Sequence, residues 1–378
     1  MKYSTLLSLA SSTLSLAAPA KLQPLRTRSI DYIPPDLYAS PDPSFAGAPI
    51  VLSSPPPPPS SLSPGPGRYA MTYTPYTSDG LCKTSETVSS DISRISSAGF
   101  SAVRLYATDC HAVHSVGAAA LNSSLQLILG MHVSDSGTNS TSIVDQISHI
   151  VDFMTQSPAH LSAIDLVVVG NEAIFNEYAN APSIAALVNE VRKTLRQIDY
   201  QGPVTTAEPY GTFMENAETL CPAIDVVAAN LLPFFHADVS PRLAGDFAAQ
   251  QIDSLDGLCE DVVFASQSRS HPSSAPAVPL PTEETVQEER ARLALLKKRH
   301  LLTSKGNKPV LAMEVGWPRH GKANGDAVAG VAEQRTAIAG MSESVGSRSV
   351  FSSFADDEWR DPGDFGVERS WGCVQVFE

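Results

Sequence analysis

Between residues 69 and 354, short apolar runs alternate with segments of helical periodicity, and this rhythm restricts the fold more than composition does. Strands are predicted at 69–73, 102–106, 125–130, 166–170, 204–207, 224–229, 309–313 and 349–354, where brief apolar runs stop at Gly, Pro or polar punctuation. Between them, apolar residues recur at helical spacing, as with Val88, Ile92 and Ile95 in 88–98, or Ile143, Ile147, Ile150 and Val151 in 143–153. Further helices are predicted at 112–120, 183–198, 247–258 and 333–345. Strands separated by helices pair in parallel through crossover units. Eight of them close most economically into an α/β architecture of the (β/α)8 TIM barrel type. The competing doubly wound open sheet commonly carries a Gly-rich phosphate turn after its first strand, and none is present here.

The remainder of the 378 residues divides around that domain, which is expected to span 68–378. Residues 1–20 read as a secretory signal peptide: Lys2 is the positive start, 6–16 a short apolar core and Ala18-Pro19-Ala20 a small-residue cleavage site. Residues 21–67 are rich in Pro and Ser and too poor in large apolar side chains to pack, which predicts a disordered or polyproline-like stalk. A long segment at 262–306 interrupts the strand–helix rhythm, with acidic Glu283, Glu284, Glu288 and Glu289 followed by basic Lys297, Lys298 and Arg299. That order of charge suits an exposed helix in a surface insertion.

The net charge of −14 argues against nucleic acid or anionic membranes as partners, while a neutral polymer would be indifferent to it. No run after the leader reaches the length of a membrane span, and residues 374–378 lack the hydrophobic tail of a lipid-anchor signal. Five cysteines fit an oxidising compartment, and none forms a C-x-x-C pair, so no zinc site is indicated. Spacing does not give connectivity. Pairing Cys82 with Cys110 and Cys221 with Cys259 is expected because each pair flanks one strand–helix unit, leaving Cys373 over. Asn122 and Asn139 head glycosylation triplets, which the leader makes credible in a secreted, wall-located glycoprotein.

Two predicted strands end in the same way. The run 165–170 leads to Asn171-Glu172, and 309–313 leads to Glu314-Val315-Gly316-Trp317-Pro318. In a (β/α)8 barrel the C-terminal strand ends meet at one mouth, which also gathers Asp109, Glu208 and Asp356 or Asp357. A protonated carboxyl and an ionised one, facing each other across such a mouth, can cleave a glycosidic bond. Asn171, next to Glu172, can hydrogen-bond a sugar hydroxyl. His132, His236 and His320 show no metal spacing, so neither metal nor cofactor is expected.

The stretches Val169-Gly170-Asn171-Glu172 and Glu314-Val315-Gly316-Trp317-Pro318 resemble the two signatures of glycoside hydrolase family 17. Stretches 73–76, 79–83, 104–110, 229–235 and 365–372 extend the resemblance to its fungal cell-wall branch. The resemblance implies a metal-free barrel cleaving β-1,3-glucan with retention, with Glu172 as proton donor and Glu314 as nucleophile; separately, a monomer is expected. Tyr73, Arg104, Tyr106, Asn171, Glu208, Asn230, Trp317 and Glu368 are the expected substrate contacts. Arg104 would favour an ionised Glu314, with a surface salt bridge as the alternative. Tyr73 and Tyr106 would line the sugar site or pack the rim, and Trp317, like Phe234, Phe235 and Trp359, offers a stacking face. Val315 stands where the family usually has a small hydroxyl residue, which would loosen support of the nucleophile. A transglycosylase, a β-glucosidase and a non-catalytic wall-glucan-binding protein remain alternatives on the same residues.

Overall fold

The computed structural model describes residues 68–138, 140–260 and 308–378. The leader, the Pro/Ser-rich stalk, the insertion at 262–306 and the acceptor Asn139 lie outside the described residues. Eight parallel strands follow one another around a closed barrel: β1 (Arg68–Thr72), β2 (Phe100–Arg104), β3 (Gln126–Met131), β4 (Ile164–Asn171), β5 (Val204–Pro209), β6 (Val227–Asn230), β7 (Val310–Val315) and β8 (Ser349–Phe351). Closure is made by β8 on β1, with Ala70 opposite Val350 and Met71 opposite Phe351. The barrel is the predicted one.

The helices α1 (Ser85–Ser97), α2 (Ala112–Asn122), α3 (Thr141–Thr155), α5 (Ala181–Arg196), α8 (Ala244–Leu255) and α9 (Val331–Val345) match predicted segments. The short α4 (Pro158–Ser162), α6 (Tyr210–Glu215) and α7 (Ala217–Leu220) were not predicted. One or two turns are too few for an apolar period to repeat, and of the three only α4 has a side-chain cap. Ser157 accepts from the His160 N–H ahead of α4. Longer helices carry both signals. Asn180 accepts from Ser183 N–H at the start of α5, and Ile184, Leu187, Val188, Val191 and Leu195 form its buried stripe.

Alternation along the strands separates two cores. Ala70, Ala102, Ile128, Val168, Ala228 and Val350 point into the barrel, while Met71, Val103, Leu127, Val167, Val227 and Phe351 pack in the larger cluster under the helices. Two register shifts break this alternation near the C-terminal ends. On β4, Val168 and Asn171 face Thr205 and Ala207, so β4 carries one extra residue. On β7, Ala312 and Glu314 face Ala229 and Asn230, again with one extra. A bulge of this kind re-aims the side chains beyond it.

Both expected disulfides are present, Cys82–Cys110 and Cys221–Cys259, and Cys373 is free and buried. Among the described residues, no helix is long and apolar enough to cross a membrane, and no group of three or more His, Cys, Asp or Glu is placed to hold a metal ion.

Candidate active site

At the β4 exit, Gly170 has φ +81° and Glu172 φ +55°, so the chain passes twice through the left-handed region in three residues. A side-chain-bearing residue held there costs on the order of 1–2 kcal/mol, so the surroundings must fix it. Glu172 N–H donates to Ala207 O of β5 at 2.8 Å. Asn176 donates its backbone N–H and its Nδ2 to Glu172 O at 2.9 and 2.8 Å. The side chain is fixed separately: Asn230 Nδ2, from the end of β6, donates to Glu172 Oε1 at 2.7 Å and to Asn171 Oδ1 at 3.2 Å.

Glu314 lies within β7, opposite Asn230, and is nearly buried. Arg104, the last residue of β2, crosses the mouth towards it. Its Nη1 donates to Met313 O at 2.5 Å and lies 3.4 Å from Glu314 Oε1, and its Nη2 donates to Asn171 Oδ1 at 2.8 Å. Arg104 is only 1% exposed, so the surface salt bridge is excluded and the pair is internal. The Tyr106 ring lies 4.7 Å from the guanidinium. One continuous set of contacts thus runs from Glu314 through Arg104, Asn171 and Asn230 to Glu172.

The two carboxyls have different surroundings. Burial pushes Glu172 up to about 7, the charge on Glu314 pushes the same way, and the Asn230 hydrogen bond pulls partly back. Glu368, in the loop after β8, is pushed up to about 7 by burial, with Arg360 opposing and Glu314 adding to the rise. Burial, with the charge of Glu314, also raises the Tyr106 hydroxyl. The mouth therefore offers a carboxyl that keeps its proton near neutrality beside a second carboxyl partnered by a guanidinium.

Three expected contacts lie elsewhere. Tyr73 is 1% exposed and points outward, its hydroxyl donating to Asp91 of α1 at 3.0 Å and its ring set edge-on to Phe354. It packs the rim, because its place in the strand alternation aims it at the helices. Trp317 is fully buried, its Nε1–H donating to Val328 O at 2.8 Å and its ring perpendicular to Phe234, so no face is open to a sugar. Glu208 is fully buried behind the β4 exit, where Oε1 accepts from Ile174 N–H at 2.9 Å and Oε2 from Phe175 N–H at 3.2 Å. Arg104, Tyr106, Asn171, Asn230 and Glu368 do gather around Glu172 and Glu314. Val315 belongs to the outer core because of the β7 bulge, so its side chain turns away from the mouth that Glu314 enters.

Sequence reading missed Arg360. It pairs with Asp357 at 3.2 Å, while Asp357 Oδ1 accepts from Thr74 at 2.5 Å and from Trp359 Nε1–H at 3.1 Å. This ties the β8 loop to the β1 exit and turns a cation towards Glu368. Its signal was present: Arg360 is the sole basic residue in 355–368.

Known proteins resemble this chain in sequence and in fold. "Probable beta-glucosidase btgE" of Neosartorya fischeri is 37% identical over 311 residues, covering 82% of this chain and 47% of that protein. The protein of the same name from Emericella nidulans is 33% identical over 314 residues, with 82% and 47% covered. The chain thus spans about half the length of the curated relatives it matches. The β-1,3-glucanosyltransferase of Rhizomucor miehei, a solved structure of glycoside hydrolase family 17, shares the fold with a TM-score of 0.57 at 18% identity, covering 81% of this chain and 92% of that one. An endo-laminarinase from Formosa does so with a TM-score of 0.55 at 14% identity, covering 81% and 82%. The BtgE/BtgC glycoside hydrolase domain matches residues 70–266 and 283–372, and with these residues the chain belongs to that glycoside hydrolase family.

Proposed function

We propose that this protein is a secreted member of glycoside hydrolase family 17 that cleaves cell-wall β-1,3-glucan by a retaining double displacement. One observation carries the reading: Glu172 at the end of β4 and Glu314 near the end of β7 share one barrel mouth, linked through Asn230, Asn171 and Arg104, one partnered by an amide and the other by a guanidinium. Glu172, raised to about 7, protonates the glycosidic oxygen while Glu314 attacks the anomeric carbon. Water then resolves the glycosyl-enzyme, with Glu172 as base. Asn230 orients Glu172, and Asn171, held by Arg104 and Asn230, stands beside the sugar that Glu314 attacks. Asn230 Oδ1 is buried without a partner among the described residues, which leaves an acceptor for a substrate hydroxyl.

The linkage reading rests on the stretches at 169–172 and 314–318 that resemble family 17. A second reading, exo-acting β-glucosidase, is favoured by the name carried by relatives at 37% identity. Product analysis on a linear β-1,3-glucan oligomer tests both. Shorter oligomers that retain the β-anomer at the new reducing end are expected. Glucose alone would favour the exo-acting enzyme, and products longer than the donor would reveal transfer. Binding without any product would refute catalysis, and an inverted anomer would refute the double displacement.

A further inference from the structure

We propose that Glu208 is a positioning residue for Glu172, fixing the backbone turn from which the acid reaches the glycosidic oxygen. The proposal rests on the acid role given to Glu172 above. Glu208 takes no part in the mechanism as derived and has no exposed surface, yet it carries a carboxyl into the packed interior between β5 and the chain leaving β4. Such a group persists in a core only where its partners need it. Its partners are specific: the amides of Ile174 and Phe175, the second and third residues after Glu172.

The geometry explains why a carboxyl stands there. The chain leaves β4 through two left-handed residues, and Glu172 O accepts from Asn176, so residues 172–176 form a tight turn. The amides of Ile174 and Phe175 find their acceptor in the Glu208 side chain. One carboxyl, with two oxygens side by side, satisfies both; an amide side chain offers only one acceptor. The same strand holds the turn from its other side, because Ala207 O, one residue before Glu208, accepts the Glu172 N–H at 2.8 Å. The two successive β5 residues therefore grip the acid's own amide and the two amides that follow its neighbour. A displaced turn would carry the Glu172 carboxyl away from Asn230 and from the leaving oxygen, and misplacement of a catalytic group by about 1 Å costs roughly a hundredfold in rate.

The test is Glu208→Gln, which keeps the shape and removes one acceptor. Turnover is measured on a β-1,3-glucan oligomer, whose leaving group needs a proton, and on dinitrophenyl β-glucoside, whose leaving group does not. The expected result is a folded protein with kcat on the oligomer down about a hundredfold, KM little changed, and kcat on the aryl glucoside lowered only a few-fold. A merely structural role would lower both alike. A folded variant with equal losses on the two substrates, or with no loss, overturns the proposal. Should the Gln variant fail to fold, Glu208→Asp keeps both acceptors on a shorter arm and is expected to show the same split; equal losses there overturn it as well. Glu172→Ala, assayed in parallel, separates the two claims: equal losses in that variant would remove the acid role itself, whereas a split there without one at Glu208 would reject the positioning role alone.

Discussion

The exits of β4 and β7 look alike in sequence and differ in construction. Each is an apolar run with a glycine two residues from a glutamate, and each carries one extra residue against its neighbouring strand. Beyond the β4 bulge, however, Glu172 has left the strand, stands in the left-handed region and meets an uncharged donor, Asn230. At the β7 bulge, Glu314 is still within the strand and meets the Arg104 guanidinium. Burial pushes Glu172 up, and the Asn230 hydrogen bond offsets that rise only in part. The partner of Glu172 is a neutral amide and that of Glu314 a guanidinium, and this difference of partner separates the two exits.

The sharpest way to break this comparison is to neutralise the two carboxyls separately. Glu314→Gln is expected to lower kcat by at least about four orders of magnitude, as loss of a covalent nucleophile does in other hydrolases, with the far-ultraviolet circular dichroism unchanged. Near-normal turnover in that variant would end its assignment. Glu172→Ala is expected to cost about 10²–10⁴ on glucan, the usual worth of a general acid, and far less on dinitrophenyl β-glucoside. If both substrates suffered equally, the two exits would not divide the labour as described.

A smaller change sharpens the contrast at the β4 exit. The Asn230 hydrogen bond favours the ionised form of Glu172 and so lowers its pKa. In Asn230→Ala that pull is gone. Glu172 then holds its proton to higher pH, and the alkaline limb of kcat/KM moves upward. The plateau is expected to fall less than about tenfold, in proportion to the loss of one orienting contact. A limb that stays in place, or moves down, would show that Asn230 does not act on the proton of Glu172.

How much of this was legible in the sequence follows from the range of the forces involved. The barrel could be read because alternation and helical period are local, and Glu172 and Glu314 because each stands where an apolar run stops. Trp317 was misread because its polar edge finds Val328 O eleven residues on, a contact that spacing does not encode. For Tyr73 the sequence left the sugar site and the rim both open, and the structure takes the rim, because the ring follows the outward half of the alternation with Met71. Glu208 looked like one more mouth carboxyl, and only the pairing of β4 with β5 reveals that it faces the amides behind Glu172. The bulges that aim Glu314 inward and Val315 outward are differences in register between strands, so neither strand alone can show them.

The same carboxyls make stability depend on pH, with a sign that can be worked out. Glu208 is raised to about 8 chiefly by burial, and Glu172 and Glu368 to about 7, from an ordinary value of 4.5. Between those limits the folded protein holds protons that the unfolded chain has released, so these groups contribute stability that is full below about pH 4.5 and is lost as pH rises through 7–8. His236 acts oppositely: burial lowers it from 6.5 to about 4, so it contributes stability above 6.5 that is lost as pH falls through 4. The two effects oppose each other below 6.5, and only the carboxyls act above it. The melting temperature is therefore expected to fall between pH 6.5 and 8, by on the order of 1 kcal/mol per pH unit for each group that titrates fully, which is a few degrees in a domain of this size. Glu208→Gln should flatten that slope while leaving the part due to Glu172 and Glu368. A slope equal to that of the unmodified protein would mean that Glu208 holds no extra proton in the folded state, and that its two amide partners are bound to a carboxylate throughout the neutral range.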